Sequence, residues 1–516
     1  MLNKNYFFKK KFIFYFFLLF VIFVLIQFIK LFNKPIRNDV LITKPTKYKL
    51  IFNSDGNAVF KDAKGDIKKW LSNIFDPLEE SGVGALFWND GAGGNTANYI
   101  SEVLDLTGSR NNLIDPNLQK IINQNIELPE LLIREAKNRG LDIFYSYRLN
   151  DIHDRFMPEE LPRFKMSNPD WIIGPMNYDG IETGYTSLNF ALDEVRNLKI
   201  SIIAEIINKY NFDGIEIDFM RSPPFFKPED INRKSYLMTD FLKKIKKLID
   251  NKTLTSGKKK YLAVRINESL IGAKKDGLDI EEWIKYSLVD YIILGSGAMK
   301  INIKEFKKIL KNSDTLIYPT LYGWPSKYNP IPENLARGLA LNYHNQKADG
   351  LYLFNWFPHD QPNSELDIVA IKSQKTLLKE IYSSDKILST KKNIMFAAER
   401  GKRSWDYPNN WLDVELPKSL INNETIKVEI IATINDQIKK NLKGSYLKIE
   451  TKDSEVEFKV KFENKYLKLK KNKKHIYDIN FKKIKDGKNI FEISKSKKNK
   501  KFNKTEIKGL ELHLVY

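Results

Sequence analysis

The stretch Phe-Asp-Gly-Ile-Glu-Ile-Asp-Phe-Met-Arg, residues 212–221, decides the fold. Apolar and acidic residues alternate in it. Ile215, Ile217 and Phe219 fall on one face of a strand, and Glu216 and Asp218 fall on the other. A buried parallel strand is expected to be apolar on both faces. Two carboxylates on a buried face are costly unless something compensates them. The order strand, acids, loop puts them at the carboxyl end of the strand. In a (β/α)8 barrel that end carries the chemistry. Asp213-Gly214 and Pro223-Pro224 bracket the segment as turns. The plainer alternative is an ordinary strand whose acids pair with Arg148 or Arg221.

Working outward, strand and helix patterns alternate from Tyr48 onward. Strands are expected at 83–88, 142–147, 187–192, 213–219, 261–266, 289–295, 315–319 and 350–355. Helices are expected at 128–139, 194–210, 231–249, 280–286, around 306–310, 333–345 and 366–382. Eight such units fit a (β/α)8 TIM barrel over residues 48–386. A doubly wound sheet is disfavoured because no Gly-x-Gly-x-x-Gly follows the first strand. Residues 91–95, Gly-Ala-Gly-Gly-Asn, lack the Lys-Ser/Thr of a phosphate-binding loop and are expected to be a flexible βα loop. After about Ile387 the pattern changes to short strands: 425–432, 446–451, 455–462, 476–481, 489–493 and 509–516. They predict a C-terminal β-sandwich of jelly-roll type over 387–516. It serves either as a carbohydrate-binding module or as a packing domain.

Residues 12–29 are apolar apart from Gln27, and Lys4, Lys9, Lys10 and Lys11 precede them. That length spans a bilayer, and no small-x-small cleavage pattern follows. The expectation is an uncleaved signal anchor within residues 1–35, a single transmembrane helix with the bulk of the chain outside. Residues 36–47 follow as a polar linker. The net charge of +21 is concentrated at the two ends, notably over 439–504. No nucleic-acid motif accompanies it, so no nucleic-acid partner is expected. A solvated basic face, or attraction to anionic lipid or polysaccharide, fits better. The sequence has no cysteine, which excludes disulfides, thiol catalysis and thiolate zinc sites.

Polar and aromatic residues gather wherever a barrel strand should end. They are Arg148, Asn150, Asp151, His153 and Asp154; then Arg221; then Arg265, Asn267 and Glu268; then Tyr322 and Trp324; and finally Asn355, Trp356 and His359. Such convergence is what a sugar cleft needs. Carboxylates move protons, Arg and Asn hold hydroxyls, and Trp and Tyr stack on sugar faces. Glu216 is expected to be the general acid/base. Asp218 is the second acid, as nucleophile or as the like charge that raises the pKa of Glu216. Asp151, Glu194 or Glu268 could instead supply the second carboxylate. No cofactor and no metal are expected. A less favoured alternative is a metal-dependent polysaccharide deacetylase built on Asp151, His153, Asp154, His359 and Asp360.

Residues 213–221, together with Arg-Leu-Asn-Asp-Ile-His-Asp at 148–154, resemble the family-10-like glycosyl hydrolases of bacteria. These are barrel proteins whose fourth strand carries Asp-Gly-Ile-x-x-Asp. The resemblance covers roughly residues 48–382. It implies cleavage of glycosidic bonds in a polysaccharide, with Asp218 the matched acid. The stretch is also similar to the Asp-Gly-x-Asp-x-Asp-x-Glu pattern of family 18 chitinases, but Met220 stands at its acid position. Strand seven, 315–319, has no Glu, so the strand-four/strand-seven pair of family-10 xylanases is missing. A catalytically inactive, glycan-binding barrel is therefore the second expectation.

Overall fold

In the computed structural model the acidic stretch is one strand of a closed, eight-stranded barrel. The structure describes residues 43–516 apart from 56–62, 64–65, 92–93, 113, 158–160, 179, 296, 359–367, 402–413, 422–423 and 497–503. The expected signal anchor at 12–29 and His359 and Asp360 lie outside the described residues, as does part of the loop 91–95. Among the described residues no helix is long and apolar enough to cross a membrane.

The barrel strands are β1 (Leu50–Asp55), β2 (Val83–Asn89), β3 (Asp142–Arg148), β4 (Gly214–Asp218), β5 (Tyr261–Ile266), β6 (Tyr291–Leu294), β7 (Leu316–Tyr322) and β8 (Leu351–Phe354). Each pairs in parallel with its neighbour in the chain, and β1 closes the ring on β8. The expected (β/α)8 barrel is thus observed, but two strands of the expected set change. Leu50–Asp55 was not expected, and it is the first strand. The expected strand at 187–192 is not a barrel strand. Leu188 and Phe190 are fully buried there. Their amides, however, donate to the Asn150 side chain and the Phe225 carbonyl and not to a ladder. The segment belongs to the long connection between β3 and the helix Asp193–Lys209. Because one strand was missed before β4 and one added, 214–218 is still the fourth strand.

The motif explains itself residue by residue. Asp213 accepts the amide of Ile143 on β3 at 3.0 Å. Gly214 has no room for a side chain: a Cβ would lie 2.3 Å from the Phe144 ring and 2.5 Å from the Tyr261 carbonyl oxygen. Ile215 and Ile217 pack outward with the helices, and Glu216 and Asp218 point inward. The interior below them is aromatic. Phe87 and Phe144 stack at 4.3 Å, and Tyr48, Tyr261, Tyr291, Tyr318 and Tyr352 join them.

The C-terminal strands form two antiparallel sheets. The first has the order β9 (Ile394–Ala397), β18 (Lys504–Val515), β12 (Gly444–Thr451), β16 (Ile476–Asp478), β15 (Lys468–Leu469), with β10 (Lys418–Ile421) also on β18. The second has the order β11 (Thr425–Ala432), β17 (Gly487–Lys495), β13 (Phe458–Phe462), β14 (Lys465–Tyr466). The first sheet packs on the barrel helix Glu333–Asn345. A Cβ on Gly338 would lie 1.9 Å from the Met395 carbonyl oxygen, so only glycine permits this approach. One apolar cluster runs from Leu335 and Leu339 through Phe396 to Val428 and Ile430. Barrel and sheets share a core.

Candidate functional site

The acids of β4 occupy two successive layers inside the barrel. In register, Glu216 lies beside Ser146 and Ala263, and Asp218 lies beside Arg148 and Arg265. The lower layer is closed. Glu216 is fully buried, and one carboxyl oxygen accepts from Ser146 Oγ and, at 3.0 Å, from the Tyr352 hydroxyl. The other has no hydrogen-bond partner. Burial first, and the charge of Asp218 second, push its carboxyl up to about 7.

The upper layer is an ion pair. Arg265 donates through Nε at 2.9 Å and Nη2 at 2.6 Å to the two oxygens of Asp218. The Met220 amide adds a third donor at 2.9 Å. The guanidinium lies 3.9 Å over the Phe354 ring of β8. The partner of Asp218 is therefore Arg265, and not Arg148 or Arg221.

Those two arginines converge on Asp151. Arg148 bonds Asp55 at 2.7 Å and approaches Asp151 at 3.7 Å, and Arg221 Nε lies 3.6 Å from the same carboxylate. His153 reaches Asp151 through its amide at 2.8 Å and its ring Nδ1 at 2.5 Å. Burial alone would raise the Asp151 carboxyl. The His153 hydrogen bond and the charges of Arg221 and Arg148 overcome it and hold the group well below the usual carboxylate range. Asp154 turns the other way, to buried Lys165 at 3.0 Å and Thr186 at 2.8 Å. Among the described residues no group of three or more His, Asp or Glu is arranged to hold a metal.

Glu268 differs from all of these. It sits two residues past β5, is fully buried, and among the described residues neither carboxyl oxygen has a hydrogen-bond partner beyond its own backbone. It lies against Gly295 at the end of β6, where a Cβ would be 3.7 Å from Oε2. Burial, with the charges of Glu399 and Asp276, pushes it up to about 8.

The remaining expected residues divide. Tyr322, Trp324 and Asn355 sit together at the ends of β7 and β8: the Tyr322 and Trp324 rings are 6.1 Å apart, Trp324 stacks on Phe357, and Asn355 donates to the Tyr322 hydroxyl at 3.3 Å. Half of the His153 side chain is exposed. Three others have their polar groups engaged inside the fold. Asn150 ties Leu188 to Pro224. Asn267 is enclosed against Gly272 and accepts the Ser269 amide. Trp356 is buried and donates to the Leu321 carbonyl. Glu194 is exposed on the first turn of its helix. Sequence reasoning missed the Arg265–Asp218 pair, the Ser146 and Tyr352 contacts to Glu216, and Glu399. Of these only the first had a signal, an arginine inside an otherwise apolar strand, 261–266.

No protein-family model matches the chain, and no curated protein matches its sequence. Among solved structures it is similar to the PgaB (BpsB) glycoside hydrolase domain from Bordetella bronchiseptica, with TM-score 0.43 and 11% identity, over 66% of this chain and 99% of that one. It is similar to an alpha-amylase from Geobacillus thermoleovorans, with TM-score 0.40 and 13% identity, over 87% and 99%. It is similar to alpha-L-fucosidase isoenzyme 2 from Paenibacillus thiaminolyticus, with TM-score 0.38 and 11% identity, over 64% and 49%. At such identities none of them assigns an activity.

Proposed function

We propose that the chain is a glycoside hydrolase that cleaves a polysaccharide at the carboxyl end of its barrel. The observation that supports this is the contrast between two acids at the ends of neighbouring strands. Asp218 on β4 is gripped by Arg265. Glu268, just after β5, has among the described residues no hydrogen-bond partner beyond its own backbone and is pushed up to about 8 by burial. Two acids whose environments differ in this way suit a proton donor and a carboxylate. In this reading Glu268 gives its proton to the glycosidic oxygen as the bond to the anomeric carbon breaks. One water supplies the hydroxyl to that carbon, and its remaining proton restores the acid. Asp218 faces the anomeric carbon, and Tyr322 and Trp324 stack on the sugar. Glu216, closed beneath them, fixes Ser146 and Tyr352 and contributes charge; it does not touch substrate.

The apolar run 12–29 supports a membrane anchor with the barrel outside the cytoplasm. A protein so anchored stays in the membrane pellet after a carbonate wash. A second reading, a barrel that binds glycan without cleaving it, is favoured by the neutralising grip of Arg265 on Asp218. A glycan screen with the full chain separates the two. A hydrolase releases reducing ends, and a binder retains glycan and releases none.

A further inference from the structure

The segment that follows β9 stays tied to the C-terminal strands, the Ala398 amide donating to the Leu510 carbonyl and the Leu416 amide to the Glu399 carbonyl, while its side chains reach loops of the barrel. Glu399, on that segment, is almost fully buried. Its Oε2 accepts the amides of Met299 at 2.7 Å and Lys300 at 2.8 Å, both in the loop after β6. Its Oε1 accepts the Ser326 hydroxyl, in the loop after β7. Arg400 strengthens the same junction: it donates to the Ser326 carbonyl at 2.9 Å and lies 3.9 Å over the Tyr328 ring. Tyr322 ends β7, and Trp324 lies in the loop that follows. One carboxylate from the C-terminal region therefore joins the loops after β6 and β7, and its charge acts on Glu268.

We propose that Glu399 is a positioning residue of the barrel's site, seating the loops after β6 and β7 and setting the charge environment of Glu268. The role of Glu268 as proton donor rests on the glycosidase reading; the seat and the electrostatic link do not. The groups facing Glu268 are Glu399, Asp276 and the Tyr343 hydroxyl. Glu399 accepts from the Met299 and Lys300 amides and the Ser326 hydroxyl, whereas among the described residues Glu268 has no donor beyond its own backbone. Burial raises the Glu399 carboxyl and these hydrogen bonds to its ionised form oppose that rise, so the charge settles on Glu399 in preference to Glu268. The C-terminal sheets then hold the reacting acid in its protonated state, which an accessory module would not do.

The test is infrared spectroscopy of the full chain across pH. The stretch of the protonated Glu268 carboxyl is assigned by its loss in Glu268→Gln. In Glu399→Gln the assigned band should titrate lower by roughly one pH unit, because one buried like charge is gone. Ser326→Ala removes a donor to Glu399 without touching Glu268. It should shift the band in the same direction by less, and it serves if Glu399→Gln does not fold. A band that titrates at the wild-type pH in the variants overturns the proposal. If the band shifts but no glycan is cleaved by any form, the link stands and the glycosidase reading falls. If glycan is cleaved, the alkaline limb of the pH–rate profile should move with the band.

Discussion

Arg265 and Asp218 form a two-point ion pair inside the barrel, at 2.9 Å and 2.6 Å, with neither side chain more than 3% exposed. Removing one partner of such a pair leaves the other charge buried without its two-point partner. Asp218→Asn should therefore cost about 3–5 kcal/mol of stability, read by urea unfolding. An unchanged unfolding midpoint would mean that Arg265 finds another acceptor.

Glu268 gives a pH dependence of known sign. Its value in the fold, about 8, lies above its ordinary 4.5. Between those values the native chain holds a proton that the unfolded chain has released. The stability this contributes is complete below the ordinary value and is lost as pH rises through about 8. Glu216 adds the same slope up to about 7. Wild type should thus lose more stability than Glu268→Gln as pH is raised across that window. Thermal unfolding of both forms in a buffer series checks it, and parallel curves would refute it.

The strand that organises the chain was legible because its alternation is local. Asp213, Gly214, Glu216 and Asp218 carry their roles within six residues. Leu50–Asp55 was missed because its apolar run stops after three residues and turns polar at Asn53, which is buried nonetheless and bonds to Phe87 and Ser146. Residues 187–192 were misread for the opposite reason. Hydrophobic pattern reports burial, and it is silent on where the amides go. Leu188 and Phe190 are buried like strand residues but are bonded by a side chain and a loop carbonyl. The site followed the same rule. The acids could be named from sequence. Their partners Arg265, Ser146, Tyr352 and Glu399 come from other strands or from the C-terminal sheet, and no spacing announces them.

Gly214 tests the packing of the central strand. Gly214→Ala forces a methyl group toward the Phe144 ring and the Tyr261 carbonyl. Overpacking of this kind should cost about 1–3 kcal/mol or more, seen as a lower melting temperature. A neutral result would show that β3 and β5 can part at this level.

A chain ending at residue 386 tests whether barrel and sheets are separable. It loses Met395 and Phe396 from the helix Glu333–Asn345 and loses the Glu399 seat. The exposed apolar face should leave it insoluble or poorly cooperative. A soluble fragment with one sharp unfolding transition would show that the shared core is not required.

The most direct measurement is reducing-end release from the glycan found by screening, for wild type, Asp218→Asn and Glu268→Gln side by side. The account predicts hydrolysis by wild type and a loss of about 100- to 10,000-fold in Glu268→Gln, with Asp218→Asn comparably impaired. Wild-type rates in both variants would contradict it.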